Sequence, residues 1–243
     1  MSNKNDEKNR GKFLTSIKEF SIPWKGFLSP NLLFLIVWIS FLLYSFIWAP
    51  KDQLGYGFGN YALKDVGPVA WTLFNLVGAM ALLYAAIIFI ESRERFIPGW
   101  IFVLAAMGFG MFVLMPYFAL RGVWKKNPKT KKTWFIRIID SRTLGIVLHE
   151  LVFGLLLFGI IAGTIQGDWA HFATLFTENS FTHIMTIDFS LLCIFYPVVI
   201  WDDMKRRDWK NCGIFVIFCI PLIGGILYLI ARPRLPEGKI FTS

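Results

Sequence analysis

The chain has 243 residues, 56% of them hydrophobic and 17% aromatic, with 25 Lys and Arg against 16 Asp and Glu for a net charge of +9. Soluble domains are about 45–50% apolar, so this composition excludes a soluble domain and marks one polytopic integral membrane domain. The cations sit beside apolar runs, where anionic lipid headgroups meet them, which excludes nucleic acid as a partner.

Residues 1–12 are polar and mixed in charge, and read as a mobile N-terminus without a signal peptide. Over 13–28, Phe13, Ile17, Phe20 and Trp24 recur at helical spacing and predict an interfacial amphipathic helix. The remainder, 29–243, reads as a single transmembrane domain. Six apolar runs, near 31–49, 69–91, 97–120, 143–166, 182–202 and 212–231, each approach the ~20 residues needed to cross a ~30 Å hydrocarbon core. The predicted fold is all-α: a polytopic helical bundle of about six transmembrane helices behind the interfacial helix. Pro116, Pro197 and Pro221 fall inside the runs and predict kinks.

Between the runs, residues 50–68 are rich in glycine and tyrosine and predict an ordered loop over a cavity mouth. Residues 121–142 carry eight cations against one acid, interleaved with Trp124 and Trp134. Lys125, Lys126, Lys131 and Lys132 make this loop a candidate docking surface for a membrane protein complex. Residues 167–181 lack Lys and Arg and predict an amphipathic interfacial helix on the opposite side. No internal repeat is visible, nor the paired broken spans of an inverted-repeat transporter. With six spans, 11 cations fall on the side of both termini and 14 on the other; without the distant Lys4, Lys8 and Arg10 the balance is 8 to 14. That balance places the third and fifth loops in the cytosol and both termini outside.

Ionisable groups are costly within hydrocarbon and therefore face protein or water. The runs hold Asn75, His149, Glu150, His183, Asp188 and Tyr196, with Asp202 and Asp203 at the end of the fifth. The fourth and fifth runs are antiparallel, and Glu150 and Tyr196 both lie about 10 Å below one surface. The expectation is a polar stripe of Asp188, Tyr196 and Asp202 facing His149 and Glu150. Three roles compete for it: hydrogen-bonded structural groups; a cavity in which Asp188 and Glu150 act as acid and base while Tyr196 and His149 position them; or an ion or proton path. Asn75 and His183 are polar support, His183 as an interfacial anchor. Gly159 and Gly163, four apart, permit close helix approach. Asp202, Asp203, Arg206 and Arg207 could contact a headgroup or diphosphate, or simply form a solvated helix end matched to its dipole. No cofactor and no metal site is predicted. The three cysteines lie in or beside apolar runs without a Cys-x-x-Cys pair, and no metalloprotease, serine-hydrolase or P-loop motif occurs.

Met115-Pro116-Tyr117-Phe118-Ala119-Leu120-Arg121, Ile187-Asp188-Phe189 with Pro197 and Asp202-Asp203-Met204-Lys205-Arg206-Arg207, and Leu229-Ile230-Ala231-Arg232-Pro233 together resemble a polytopic membrane-protein family of cyanobacteria and plastids. More remotely, His183, Asp188, Pro221, Leu222 and Gly224 resemble the plastid membrane proteins needed for neoxanthin formation. The resemblance implies a plasma or thylakoid membrane and rearrangement of a carotenoid or other isoprenoid by buried acids, without a redox cofactor. Three functions follow as expectations: such an enzyme, with an isoprenoid ligand; a non-catalytic assembly factor docking through the basic third loop; and a small transporter.

Overall fold

A computed structural model describes residues 30–51, 63–91, 99–120, 134–209 and 212–235. The N-terminus with its interfacial helix, most of the 50–68 loop and Lys125 to Lys132 lie outside the described residues. The elements are α1 (Pro30–Leu43, continued by a π-helical turn Tyr44–Trp48), α2 (Leu63–Glu91), α3 (Gly99–Phe109), α4 (Met111–Leu120), α5 (Trp134–Ile139), α6 (Arg142–Ile165), α7 (Trp169–Glu178), α8 (Ser180–Arg206), α9 (Cys212–Phe218) and α10 (Ile223–Ala231). The described residues are otherwise turns and short connections, without strands.

Local chemistry sets the helix starts. Ser141 and Asn179 accept the Leu144 and Thr182 backbone N–H groups at 3.2 and 2.8 Å and open α6 and α8. Within α2, Pro68 bars its predecessor from helical backbone; Gly67 takes a φ of +78° and the helix restarts at the proline. The N–H of Val69 then donates to Asp168, at the start of α7, at 2.9 Å.

Among the described residues, four helices are long and apolar enough to cross a membrane: Asn31–Trp48, Asp65–Glu91, Arg142–Ile165 and Ser180–Arg206. The chain is thus an all-helical integral membrane protein. The other two expected spans do not cross; each folds back as a hairpin. In a straight helix Phe102 and Tyr117 would lie about 22 Å apart, yet their ring centroids are 4.9 Å apart across the α3–α4 hairpin. The fold is at Gly110, φ +46°. In the second hairpin α9 starts five residues beyond Arg207, and α10 returns to the same place. Tyr228 donates to Asp203 at 2.6 Å, and Arg207 donates to the Pro233 carbonyl at 2.6 Å. Its fold lies at Pro221–Leu222, where Leu222 has φ +64°.

Both hairpins open toward the end where α2 and α8 finish. Glu91 at the end of α2 meets Arg206 at 3.4 Å, and α3 follows eight residues later. The order of elements is therefore the same twice: a span, a returning span, a hairpin. Adding 112 to a residue number carries Pro30 at the start of α1 to Arg142 at the start of α6. It also carries Met111 at the start of α4 to Ile223 at the start of α10, and Gly110 to Leu222, the two left-handed hinge residues. The second unit adds α7 between its spans. The repeat that residue types conceal is present in the topology, and the two units run parallel.

Helix α2 is the most buried crossing. The expected close approach at Gly159 and Gly163 is made against α2, at Thr72 and Val69, while Gly145 admits the α10 backbone at Leu229 and Ile230. Between the units, Phe34, Tyr84, Phe118, Phe195 and Tyr196 form a continuous aromatic core, with Phe34 5.1 Å from Phe118 and 5.0 Å from Phe195.

Candidate functional site at the repeat interface

Asp188, the lone acid of the fifth apolar run's interior, is 5% exposed and points at the tip of the first hairpin. Its Oδ1 accepts the Met111 N–H at 2.7 Å. Met111 opens α4, so its N–H has no partner within its own helix, and the carboxylate sits where the helix dipole is positive. Gly110 leaves the room: a Cβ there would collide with the Asp188 carboxylate. One repeat thus caps the broken helix of the other. Gly67 and Asp168 repeat this device nearer the other membrane face, where a Cβ on Gly67 would strike the Asp168 carboxylate while Val69 donates to it.

One to two turns beyond Asp188 the two returning spans exchange hydrogen bonds. Tyr84 of α2 donates to the Leu192 carbonyl at 2.8 Å, and Tyr196 of α8 donates to the Leu83 carbonyl at 3.2 Å. Their rings meet edge to face, 4.9 Å between centroids. Tyr196 also lies against the second hairpin, where Gly225 leaves no space for a Cβ. Toward the opposite face, His183 bonds to Tyr44 Oη at 2.7 Å through Nε2 and to the Phe176 carbonyl at 2.7 Å through Nδ1.

The expected stripe does not assemble. Asp188 and Tyr196 are interior, but Glu150 is 70% exposed at its side chain and His149 38%, the two paired with each other at 3.0 Å. The residues α6 buries are Gly145, Leu148, Val152, Gly159 and Gly163. At 100° per residue, Glu150 points about 160° away from their centre. Small residues fixed the packing face, because they bring α6 closest to α2 and α10, and they rotated Glu150 outward. It cannot face Tyr196. Asn75 bonds to the Trp71 carbonyl of its own helix at 2.8 Å, so its amide is spent within α2 rather than on the repeat interface.

The second cluster closes the end from which the hairpins enter. Asp203 Oδ2 accepts from Arg207 Nε at 2.8 Å and from Tyr228 at 2.6 Å, with Arg232 at 3.6 Å. Arg207 Nη1 reaches Asp140 at 2.6 Å, and the other Asp140 oxygen accepts the Leu235 N–H at 2.9 Å. Arg232 donates to the Ala86 carbonyl at 3.2 Å and to that of Ile139. Burial opposes the charge of Arg207, but Asp203 above all, with Asp140, outweighs it and raises the guanidinium above its usual range. Burial and then the like charge of Arg207 lower Arg232; an arginine starts so high that it stays charged. Asp203 and Arg207 are therefore turned inward and engaged by protein, with Asp203 Oδ1 and Arg207 Nη2 buried without a hydrogen-bond partner, which corrects their reading as headgroup or diphosphate contacts. Arg206 pairs with Glu91, and Asp202 lies half-buried, 4.0 Å from Lys205. Glu91, Asp140, Tyr228 and Arg232 were missed as members. Asp140 had one signal: it is the single acid of the eight-cation loop.

A half-open cleft of about 460 Å³ lies at the opposite end, bounded by Asp65, Pro68, Phe158, Gln166, Asp168 and His171. No protein-family model matches the chain, and no curated protein or solved structure is significantly similar to it.

Proposed function

We propose that this chain is a small membrane carrier of two parallel repeats, in which Asp188 latches the tip of the first hairpin. The observation that carries this reading is the Asp188–Met111 contact, a bond from the returning span of one repeat to the broken helix of the other. Interrupted helices at membrane depth persist where protein or a water-filled cavity satisfies their backbone. In transporters built from repeats, such helices gather at the repeat interface near the midplane and form the substrate site. Here the carboxylate takes the position an anionic substrate group would take at the α4 N-terminus. An ionised carboxylate holds an N–H about twice as strongly as a neutral group does, so protonation of Asp188 loosens the latch and couples proton movement to hairpin movement. The cleft at Asp168 is the mouth on the far side. The test is purified protein in liposomes containing a pH dye, with an inward proton gradient and a panel of amino acids, sugars, nucleosides and organic acids outside. Solute-dependent acidification that disappears in Asp188→Asn is expected. Acidification indifferent to Asp188, or none with any solute, overturns the proposal.

A second reading, an enzyme acting on an isoprenoid or carotenoid, is favoured by one placement. Of the residues that carry the neoxanthin-family resemblance, Pro221, Leu222 and Gly224 lie at the tip of the second hairpin and Asp188 caps the first, beside an aromatic core able to stabilise a carbocation, while His183 lies toward the opposite face. With Glu150 outside, Asp188 would act without that base. Pigment and lipid profiles altered by Asp188→Asn at unchanged protein level would select this reading, in the plasma or thylakoid membrane of a cyanobacterium that the resemblance favours. An assembly role through Lys125, Lys126, Lys131 and Lys132 falls on residues outside the described ones.

A further inference from the structure

The half-open cleft at the end away from the ionic clamp has a volume of about 460 Å³, at the small end of the range for ligand sites, roughly 300–1,000 Å³. Asp168 lines it and is only 7% exposed. Its Oδ2 accepts the Val69 N–H at 2.9 Å, while Oδ1 has no hydrogen-bond partner among the described residues. Asp65 supplies a second carboxylate on the exposed rim, where Gln166 and His171 also lie. Phe158 lines the membrane side, seven residues before the end of α6 and so about 10 Å below it. Among the described residues no Lys or Arg lines the cleft. The stretches that close this end, 49–66 and 166–179, hold Asp52, Asp65, Asp168 and Glu178 against Lys51 and Lys64, in a chain whose net charge is +9. A concave site of one sign with low-dielectric walls concentrates ligands of the other.

We propose that this cleft binds the primary ammonium group of a small amphipathic molecule. An anion would meet two carboxylates. An ammonium brings three N–H donors, which match Asp168 Oδ1, Asp65 and the Gln166 carbonyl. Phe158 offers a ring to the charge and to the carbon chain behind it. Two sources carry this group: a free amine in solution, and a phosphatidylethanolamine headgroup of the surrounding leaflet. As an entrance the cleft rests on the carrier reading above. As a binding site it does not, and binding is measured without transport, so either reading can fail alone.

The test is equilibrium dialysis of radiolabelled n-butylamine against purified protein in phosphatidylcholine nanodiscs, at fixed ionic strength and with empty nanodiscs subtracted. Saturable binding at a single site per chain is expected, displaced by unlabelled amine but not by butanol or butyrate. Tetramethylammonium, which donates no hydrogen bond, should compete about tenfold more weakly. Asp168→Asn keeps an oxygen for the Val69 N–H and is expected to weaken binding about tenfold, because a charge-assisted bond becomes a neutral one. Asp65→Asn changes an exposed side chain that does not threaten folding, and should weaken binding about threefold, as loss of a rim charge does. Nanodiscs containing phosphatidylethanolamine separate the sources. Loss of butylamine binding there assigns the site to the headgroup, and unchanged binding assigns it to a free amine. No saturable binding, binding indifferent to both asparagine variants, or equal competition by butyrate overturns the proposal.

Discussion

Asp188 and Gly110 form one unit, and their substitutions separate its two halves. Gly110→Ala forces a left-handed backbone on a residue with a Cβ and drives that Cβ into the carboxylate. The backbone alone costs about 1–3 kcal/mol, and the capping bond is lost with it. Asp188→Ala keeps the glycine but leaves the Met111 N–H buried and unpaired, about 1–3 kcal/mol. Asp188→Asn keeps an oxygen for that N–H but loses the charge, and is expected to lose about half as much. Thermal unfolding in mild detergent should rank them wild type, Asn, then Ala and Gly110→Ala together. An Asn variant as unstable as the alanine would show that charge, not the bond, holds the tip. This residue was legible in the sequence, since a single carboxylate amid apolar neighbours must face the interior. Its partner was not: a backbone N–H carries no signature, and Gly110 is one glycine among several in its run. Glu150 was misplaced for the complementary reason. A polar group's depth follows from counting residues, but its direction follows from the helix face that packs, and on α6 the glycines decided that face.

At the scale of elements, length did well and continuity did badly. The 22 residues from 99 to 120 are as apolar as any span, so they count as a crossing until a single left-handed residue is seen to turn them back. The run 212–231 conceals its turn in Pro221–Leu222 in the same way. What keeps the second hairpin folded is its ionic clamp. Three helix ends and the α5–α6 corner converge on Asp203, Arg207 and Asp140. A buried pair broken on one side costs about 3–5 kcal/mol, because the remaining charge keeps its desolvation penalty. Asp203→Ala and Arg207→Leu are each expected to lose that much. The double variant is expected to lose clearly less than the sum, since it leaves fewer stranded charges. Limited tryptic proteolysis after Arg234 provides the local readout, since Pro233 blocks the cut after Arg232: cleavage there should rise in Asp203→Ala while the first hairpin stays protected. Equal exposure of both hairpins would mean the clamp holds the whole bundle rather than the second unit.

At the scale of the whole molecule the hairpins change the charge balance, and with it the expectation from six spans that both termini lie outside. With four crossings, residues 1–30, 92–98, 121–142, 203–211 and 232–243 share one side, and only the connections after α1 and α6 lie on the other. Of the 25 Lys and Arg, 23 then fall on the first side; Lys51 and Lys64 alone fall on the second. The near-even division obtained with six spans was produced by counting two hairpins as crossings, because each false crossing moves every later loop to the wrong face. A bias of 23 to 2 is what the positive-inside rule demands of cytoplasmic loops, and the hairpins that produce it are defined by their turns and contacts, not by that count. Both termini and the basic third loop are therefore expected in the cytosol, with the hairpins entering from there and the Asp168 cleft facing out. Reporter fusions decide it: fluorescent protein after Ser243 and at residue 127 should both fluoresce, and alkaline phosphatase should be active only when joined near residue 55 or 167. Opposite sidedness of the third loop and the N-terminus would restore six crossings and dissolve the parallel repeat. Agreement would make the duplication the organising fact of the molecule, with two hairpins entering from the cytosolic side and one carboxylate joining the repeats.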